Sequence, residues 1–405
     1  MKGVDPGETE AKPRPLDIGV ITETYPPEIN GVANTLLHLV EGLEHRGHRI
    51  QLVRPRQLAD RPSDPQGGRA EVLVPGVPIP GYRGLRFGLP VYWRLRRLWR
   101  QARVDVAYIA TQGPLGHAAL SAARALAIPT LTGFHTQFHQ YSSHYGLGLL
   151  KRPIIDALRR FHNRSDTTLI PSSALAEELT ALGFRNLHLL GRGVDTELFD
   201  PRRRSEDLRR SWGCGPTGPA VLYVGRLAAE KNLELILRAF RDISVDIPDA
   251  RLVLVGDGPE RAPLQQTRPD VVLTGAKVGT ELAEHYASGD LFLFPSLTET
   301  FGNVVLEAMA SGLPVIAFDY AAAHSCIHNQ KNGIRVPTGN AEAFIDAAVT
   351  AIQDAEGLRV MSQGARATAE RMSWERVVCD LEQRILEVIR MRRDHPNENL
   401  AAAPE

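Results

Sequence analysis

Leu291-Phe292-Leu293-Phe294-Pro295-Ser296-Leu297-Thr298-Glu299-Thr300-Phe301-Gly302-Asn303-Val304-Val305-Leu306-Glu307-Ala308-Met309-Ala310 is the most informative stretch of this 405-residue chain. Its apolar opening, residues 291–294, reads as a buried strand. A polar loop follows, and a helix opens near Gly302, whose missing side chain leaves the amides of the first turn accessible to an anion. Glu299 stands just before the helix, placed to accept hydrogen bonds from sugar hydroxyls. Glu307 lies about two turns further in, placed for a ribose diol. The apolar run over 304–309 buries this helix and leaves few exposed positions, which argues against reading both glutamates as ordinary surface charges.

The same strand–loop–helix succession recurs upstream. A strand over 220–224 runs into Gly225-Arg226-Leu227-Ala228-Ala229-Glu230-Lys231-Asn232 and a helix over 233–243. Arg226 and Lys231 sit in that loop, where guanidinium and ammonium groups meet phosphate oxygens; two solvated surface cations are the plainer alternative. A strand over 251–255 ends in Gly256-Asp257-Gly258-Pro259, whose glycines allow a tight turn or a close approach to a ligand. Strands over 271–273 and 314–317 complete this half. In the first half, strands over 16–21, 50–53, 71–74, 104–109 and 129–133 alternate with helices over 31–46, 115–126 and 150–164.

This alternation, run through twice, predicts an α/β chain of two Rossmann-like, doubly wound parallel sheets that bind ligands at their strand ends. The length agrees, since one ordinary core does not extend over 405 residues. The expected division is a disordered tail over 1–15, a first domain over 16–192, a second over 193–375, a terminal helix over 376–392 and a disordered tail over 393–405. Residues 199–218 suit a linker or lead-in. Gly191-Arg192-Gly193-Val194-Asp195 fits either a hinge or a ligand contact. The terminal helix carries Val377, Leu381, Ile385, Val388 and Met391 on one face.

The net charge is zero but unevenly spread: residues 1–190 hold 23 Lys+Arg against 16 Asp+Glu, and the remainder is acidic. A basic half points to an anionic partner. Cys214, Cys326 and Cys379 lack metal-ligand spacing and read as reduced thiols. No apolar stretch of signal-peptide or membrane-spanning type occurs, so the expected location is cytoplasmic, with attachment to the inner face of the cytoplasmic membrane left open. Two basic amphipathic segments bear on that point. Residues 90–103 set Val91, Leu95, Leu98 and Ala102 against Arg94, Arg96, Arg97 and Arg100, and residues 150–164 set Ile154, Leu158 and Phe161 against Arg159 and Arg160. Such helices suit an anionic membrane surface, or else they pack on the sheet as ordinary helices. No nucleic-acid-binding module is present.

With these residues in view, the chain resembles the retaining glycosyltransferase family 4, of GT-B fold, over about residues 17–390. It is similar to members that transfer mannose or glucose to lipids. The resemblance implies that Arg226 and Lys231 bind the donor diphosphate, that Glu299 contacts the transferred sugar and that Glu307 binds the nucleotide ribose. It implies that the amides of Gly302, Asn303 and Val304 hold phosphate and sugar, with Gly225, Gly256 and Phe301 in the same donor site. It assigns Gly31, in Asn30-Gly31-Val32-Ala33, to a cleft loop of the first domain, and His135 to the cleft histidine near the sugar. The terminal helix would cross back onto the first domain. The implied activity moves an α-hexosyl group from GDP-mannose or a UDP-sugar to a lipid or glycolipid acceptor. A soluble acceptor, a sugar-nucleotide epimerase and a binding protein of the same fold stay open as alternatives. No Asp-x-Asp pair occurs, so neither a metal nor another cofactor is expected, the nucleotide-sugar being a substrate. Many relatives carry Gly-Gly-x-x-Glu where this chain has Tyr320-Ala321-Ala322-Ala323-His324, so the donor sugar does not carry over.

Overall fold

The computed structural model describes residues 14–28, 30–57, 70–78, 86–135, 151–299 and 301–394. The strands are β1 (Asp17–Ile21), β2 (Arg49–Pro55), β3 (Ala70–Val74), β4 (Gly76–Pro78), β5 (Arg86–Gly88), β6 (Val106–Ile109), β7 (Thr130–Gly133), β8 (Thr167–Ile170) and β9 (Leu187–Leu189). They continue as β10 (Ala220–Val224), β11 (Arg251–Val255), β12 (Val272–Gly275), β13 (Leu291–Phe294), β14 (Val315–Phe318) and β15 (Gly333–Val336). One sheet has the order β3-β2-β1-β6-β7-β8-β9, another β12-β11-β10-β13-β14-β15, and β4 and β5 form an antiparallel hairpin. Strands such as Val106–Ile109 and Leu291–Phe294 are buried throughout, as parallel strands covered on both faces must be.

The chain divides into two compact units. One comprises Met1–Glu28, Leu36–Leu131 and Ile385–Glu405, the other Ile29–Thr35 and Thr132–Arg384. In the first unit Ile18, Val20, Leu52 and Trp99 are wholly buried. The core of the second gathers Val221, Leu222, Tyr223, Phe292, Leu306 and Phe344 around the six-stranded sheet. What positions a site is the point where strand order reverses. In the second unit β10 lies between β11 and β13, so the loops leaving β10 and β13 emerge side by side at the carboxyl edge. Those loops are 225–232 and 295–302.

Several details differ from expectation. Residues 199–218 are no loose lead-in: they form a 3-10 turn, Pro201–Arg203, and a helix, Glu206–Ser211, with Trp212 buried. Arg209 is buried there and bonds Asp290 Oδ2 at 2.8 Å and the Ser288 carbonyl at 2.8 Å. These bonds to groups near β13 fix the segment. The terminal helix runs Trp374–Asp394, so Arg393 and Asp394 belong to it. Val377, Leu381, Ile385 and Val388 are buried as its periodicity requires, but Met391 is 45% exposed. Arg14 and Pro15 are exposed, and the rest of the two tails lies outside the described residues. The short strands β4, β5, β8, β9 and β15 carry too little apolar pattern to be read beforehand. No described helix is long and apolar enough to cross a membrane.

Candidate active site

At the reversal point the two loops meet through Lys231 and Glu299. The Lys231 ammonium bonds Glu299 Oε1, Ser296 Oγ at 3.2 Å and the Thr298 carbonyl at 3.3 Å. Ser296 Oγ also donates to Glu299 Oε1 at 3.0 Å. An ammonium has three N–H bonds, and here each has an acceptor. The pair is little exposed, 13% for the lysine and 18% for the glutamate side chain, so water screens it weakly. Arg226 lies more open, 3.7 Å from Glu230. Its backbone carbonyl accepts from the Tyr223 hydroxyl at 2.9 Å. Burial, with Glu299 and Glu230 nearby, raises that phenol far above its usual range, so it remains a donor holding the loop.

The glycines of this edge have separate jobs. The register pairs Val224 with Val255, so Gly225 and Gly256 leave the sheet side by side. A β-carbon on Gly256 would lie 1.9 Å from the Gly225 carbonyl oxygen, and φ there is +151°. Gly256 thus brings the Arg226 loop against its neighbour. Gly302 has φ +92° and opens the helix Asn303–Ala310, which no side chain among the described residues caps. Asn303 and Val304 are half-buried in its first turn. The Phe301 ring is 5% exposed and belongs to the core, while its carbonyl accepts from the Ala322 amide at 2.7 Å. Ala321 has φ +51°, a left-handed backbone at one of the positions that differ from the relatives' Gly-Gly. Gly31 begins a helix capped by Asn30, whose Oδ1 accepts from the Ala33 amide at 2.9 Å. A β-carbon on Gly31 would come 3.8 Å from Asn303 Nδ2.

Glu307 accepts a hydrogen bond from the wholly buried Tyr286 hydroxyl at 2.9 Å. Burial pushes its carboxyl up to about 7, against the lowering effect of that bond. His135, 6% exposed, lies two residues past the end of β7. The Arg192 guanidinium donates to its Nδ1 at 2.9 Å and also bonds the Leu190 and Gly191 carbonyls. Burial first, then Arg192 and His162, hold His135 well below its usual range. The ring is neutral, and since arginine only donates, its proton sits on Nε2. The segment read as either a hinge or a ligand contact therefore supplies a partner for His135. Its Gly193 packs where a β-carbon would meet the Trp374 amide at 2.6 Å.

The apolar stripes of the basic helices face inward only in part: Val91 and Leu98 are half-buried and Ala102 is exposed. In Tyr92–Ala102, Leu95 and Trp99 are buried while Arg94, Arg97 and Arg100 are exposed, Arg96 is half-buried, and Trp93 is 73% exposed. Arg94 donates to the Leu73 carbonyl at 3.3 Å, and Arg96 stands 5.7 Å from the Trp93 ring centroid. In Lys151–His162, Leu158 and Phe161 are buried. Arg159 is half-buried and pairs with Asp156 at 2.8 Å. Arg160 is exposed and donates to the Asp156 carbonyl.

Known proteins are similar to this chain in sequence and fold. The family described as Glycosyltransferase Family 4 matches residues 29–198, and the one described as Glycosyl transferases group 1 matches 218–354. A GDP-mannose-dependent alpha-mannosyltransferase of Mycobacterium tuberculosis is 37% identical over 385 residues, 93% of this chain and 97% of the relative. An alpha-monoglucosyldiacylglycerol synthase of Streptococcus pneumoniae is 28% identical over 75% of this chain and 71% of its own. Among solved structures, a sucrose-phosphate synthase from Thermosynechococcus elongatus superimposes with a TM-score of 0.76 at 19% identity, covering 93% of this chain and 100% of that one.

Proposed function

The chain belongs to glycosyltransferase family 4 and is a nucleotide-sugar-dependent hexosyltransferase, and from that premise we propose that it moves an α-mannosyl group from GDP-mannose to a lipid or glycolipid acceptor. The observation that carries this reading is the Lys231–Glu299–Ser296 cluster at the strand-order reversal, in a chain 37% identical to a GDP-mannose-dependent mannosyltransferase. The alpha-monoglucosyldiacylglycerol synthase relative supports a lipid acceptor.

In the proposed reaction Glu299 receives the sugar hydroxyls, and Glu307 the ribose diol. Arg226, Lys231 and the amides of Asn303 and Val304 stabilise the departing diphosphate, a charge arrangement fixed before reaction. The acceptor hydroxyl attacks the anomeric carbon from the face the diphosphate leaves. The C1–O bond to phosphate breaks as the new C1–O bond forms, the acceptor proton passes to the departing phosphate oxygen, and the anomeric configuration is retained. His135 presents Nε2–H toward the sugar. No resident cofactor enters this scheme. Arg97, Arg100 and Trp93 form the surface that meets an anionic membrane, where each basic residue is worth about 1 kcal/mol.

The test is transfer from GDP-mannose to membrane lipids extracted with solvent, with the anomeric configuration of the product read by NMR. An α-linked mannolipid is expected. A β-linked product overturns the mechanism, and transfer from UDP-sugars alone overturns the donor. Sedimentation with phosphatidylglycerol vesicles, reversed by salt, tests the membrane surface, and no sedimentation at low salt refutes it.

A further inference from the structure

Three arginines of the first unit converge on a concavity that the donor site does not use. It has a volume of about 470 Å³ and is lined by Arg56, Gln57, Leu73, Pro75, Arg86 and Arg94 among others. Arg56 follows β2, Arg86 opens β5, and Arg94 lies in the first turn of the helix Tyr92–Ala102. The ends of β2 and β3 place the concavity at the carboxyl edge of their sheet, held by the Arg56 amide on the Val74 carbonyl at 2.9 Å. This is the edge where open α/β sheets receive ligands.

Among the described residues no Asp or Glu lines the concavity to compensate these charges. Elsewhere in this unit arginines take carboxylate partners: Arg54 pairs with Glu71 at 2.5 Å, and Arg14 with Asp105 at 2.8 Å. Glu28, on the far side of Gln57, is engaged by the Gln57 amide and the Thr24 hydroxyl. Two of the guanidiniums are braced against backbone, Arg86 on the Gly76 carbonyl at 2.5 Å and Arg94 on the Leu73 carbonyl at 3.3 Å. Arg86 Nε is buried with no hydrogen-bond partner among the described residues. A buried N–H so placed calls for an acceptor. Like charges gathered without a counter-charge repel, and an oxyanion supplies what is missing, since guanidinium forks match phosphate and carboxylate oxygens.

We propose that this concavity binds an oxyanion, and that the ligand it takes is the phosphate or carboxylate of the acceptor's headgroup. The headgroup assignment rests on the lipid-acceptor reading above; the anion site itself does not.

The test uses the full chain and two probes, inorganic phosphate and monomeric dihexanoyl phosphatidylglycerol, titrated calorimetrically into wild type and variants. Phosphate also meets open cations outside the concavity such as Arg226, so the binding counted is the part that the variants lose. Arg56→Ser with Arg94→Ser removes two exposed guanidiniums, and unfolding temperature checks that the fold survives. Arg94→Glu places a carboxylate in the concavity, and Arg103→Asn removes a charge outside it, at the far end of the same helix. Wild type is expected to bind the lipid at least tenfold more tightly than phosphate. The double variant should weaken both by about tenfold or more, as charge-assisted bonds are the strong ones. Arg94→Glu should do the same, and Arg103→Asn should change neither. Equal affinities in wild type, the double variant and Arg94→Glu overturn the site. A variant-sensitive site that holds lipid no better than phosphate overturns the headgroup assignment. Wild-type protein that binds both probes at the concavity but neither hydrolyses GDP-mannose nor transfers from it refutes the proposed function and leaves the anion site standing.

Discussion

Glu307 offers a sharp test of the donor site, because its carboxyl sits at about 7 in the absence of nucleotide. A ribose diol donates hydrogen bonds best to the ionised form, so binding should draw the proton off. At pH 7 about half the molecules are protonated, and donor binding should release about half a proton per site. At pH 5 only about 1% is ionised, and GDP-mannose should bind roughly fiftyfold more weakly than at pH 7. The sugar nucleotide is the right probe, since its diphosphate diester does not titrate in this range. Calorimetry in buffers of different ionisation enthalpy measures the released proton directly. In Glu307→Gln both the proton release and the pH slope should vanish. Stability moves oppositely. The folded value lies above the ordinary 4.5, so the contribution is fully present below 4.5 and is lost as pH rises through 7. It amounts to about 3 kcal/mol at most. Glu23 behaves alike, being pushed by burial to about 7, so the Glu307 share is the difference between wild type and Glu307→Gln in urea unfolding. Proton release that persists in the glutamine variant would refute the placement of the ribose on Glu307.

Three further outcomes follow from the geometry. Lys231→Ala should lower turnover by about 10²- to 10³-fold, as loss of a preorganised charge does, and Lys231→Ala with Glu299→Ala should be more stable than the sum of the singles; simple additivity in urea melts would show that the pair is not coupled. Gly256→Ala should cost more than about 2 kcal/mol, given the 1.9 Å approach to the Gly225 carbonyl, and an unchanged urea midpoint would contradict the close contact. Nitrogen NMR should find His135 neutral with its proton on Nε2, and Arg192→Leu should raise its pKa; a proton on Nδ1 in wild type would rule out the Arg192 bond.

How much of this was readable beforehand depended on whether the information is local. The loops after β10 and β13 were legible because a strand, a polar loop and a helix follow one another within about 20 residues, each with its own period. The partners of the site were not. Arg192 meets His135 across 57 residues, Tyr286 meets Glu307 across 21, and Ser296 was visible as a loop residue without any sign that it faces Lys231. The basic helices show a different limit. Of the stripe read over 90–103 only Leu95 is buried, Ala102 is exposed and Trp99 takes a core place instead; periodicity does not say whether a stripe faces a sheet or a bilayer, and Leu158 and Phe161 also went to the core. The arginine concavity was hidden for the same reason as the His135 pair, since Arg56, Arg86 and Arg94 come together only once the strands pair.

Lys231, a donor-diphosphate ligand in the proposed reaction, has every N–H bond already taken by Glu299, Ser296 and Thr298. An ammonium so engaged is poor bait for a stray anion. Free phosphate or pyrophosphate would have to draw it away from a carboxylate while offering nothing to that carboxylate in return. On the proposed roles a whole sugar nucleotide makes the exchange evenly, its hydroxyls taking the place of the lysine on Glu299 while its diphosphate receives the lysine. The proposed roles thus predict a site that selects for a ligand carrying sugar and diphosphate together over free phosphate.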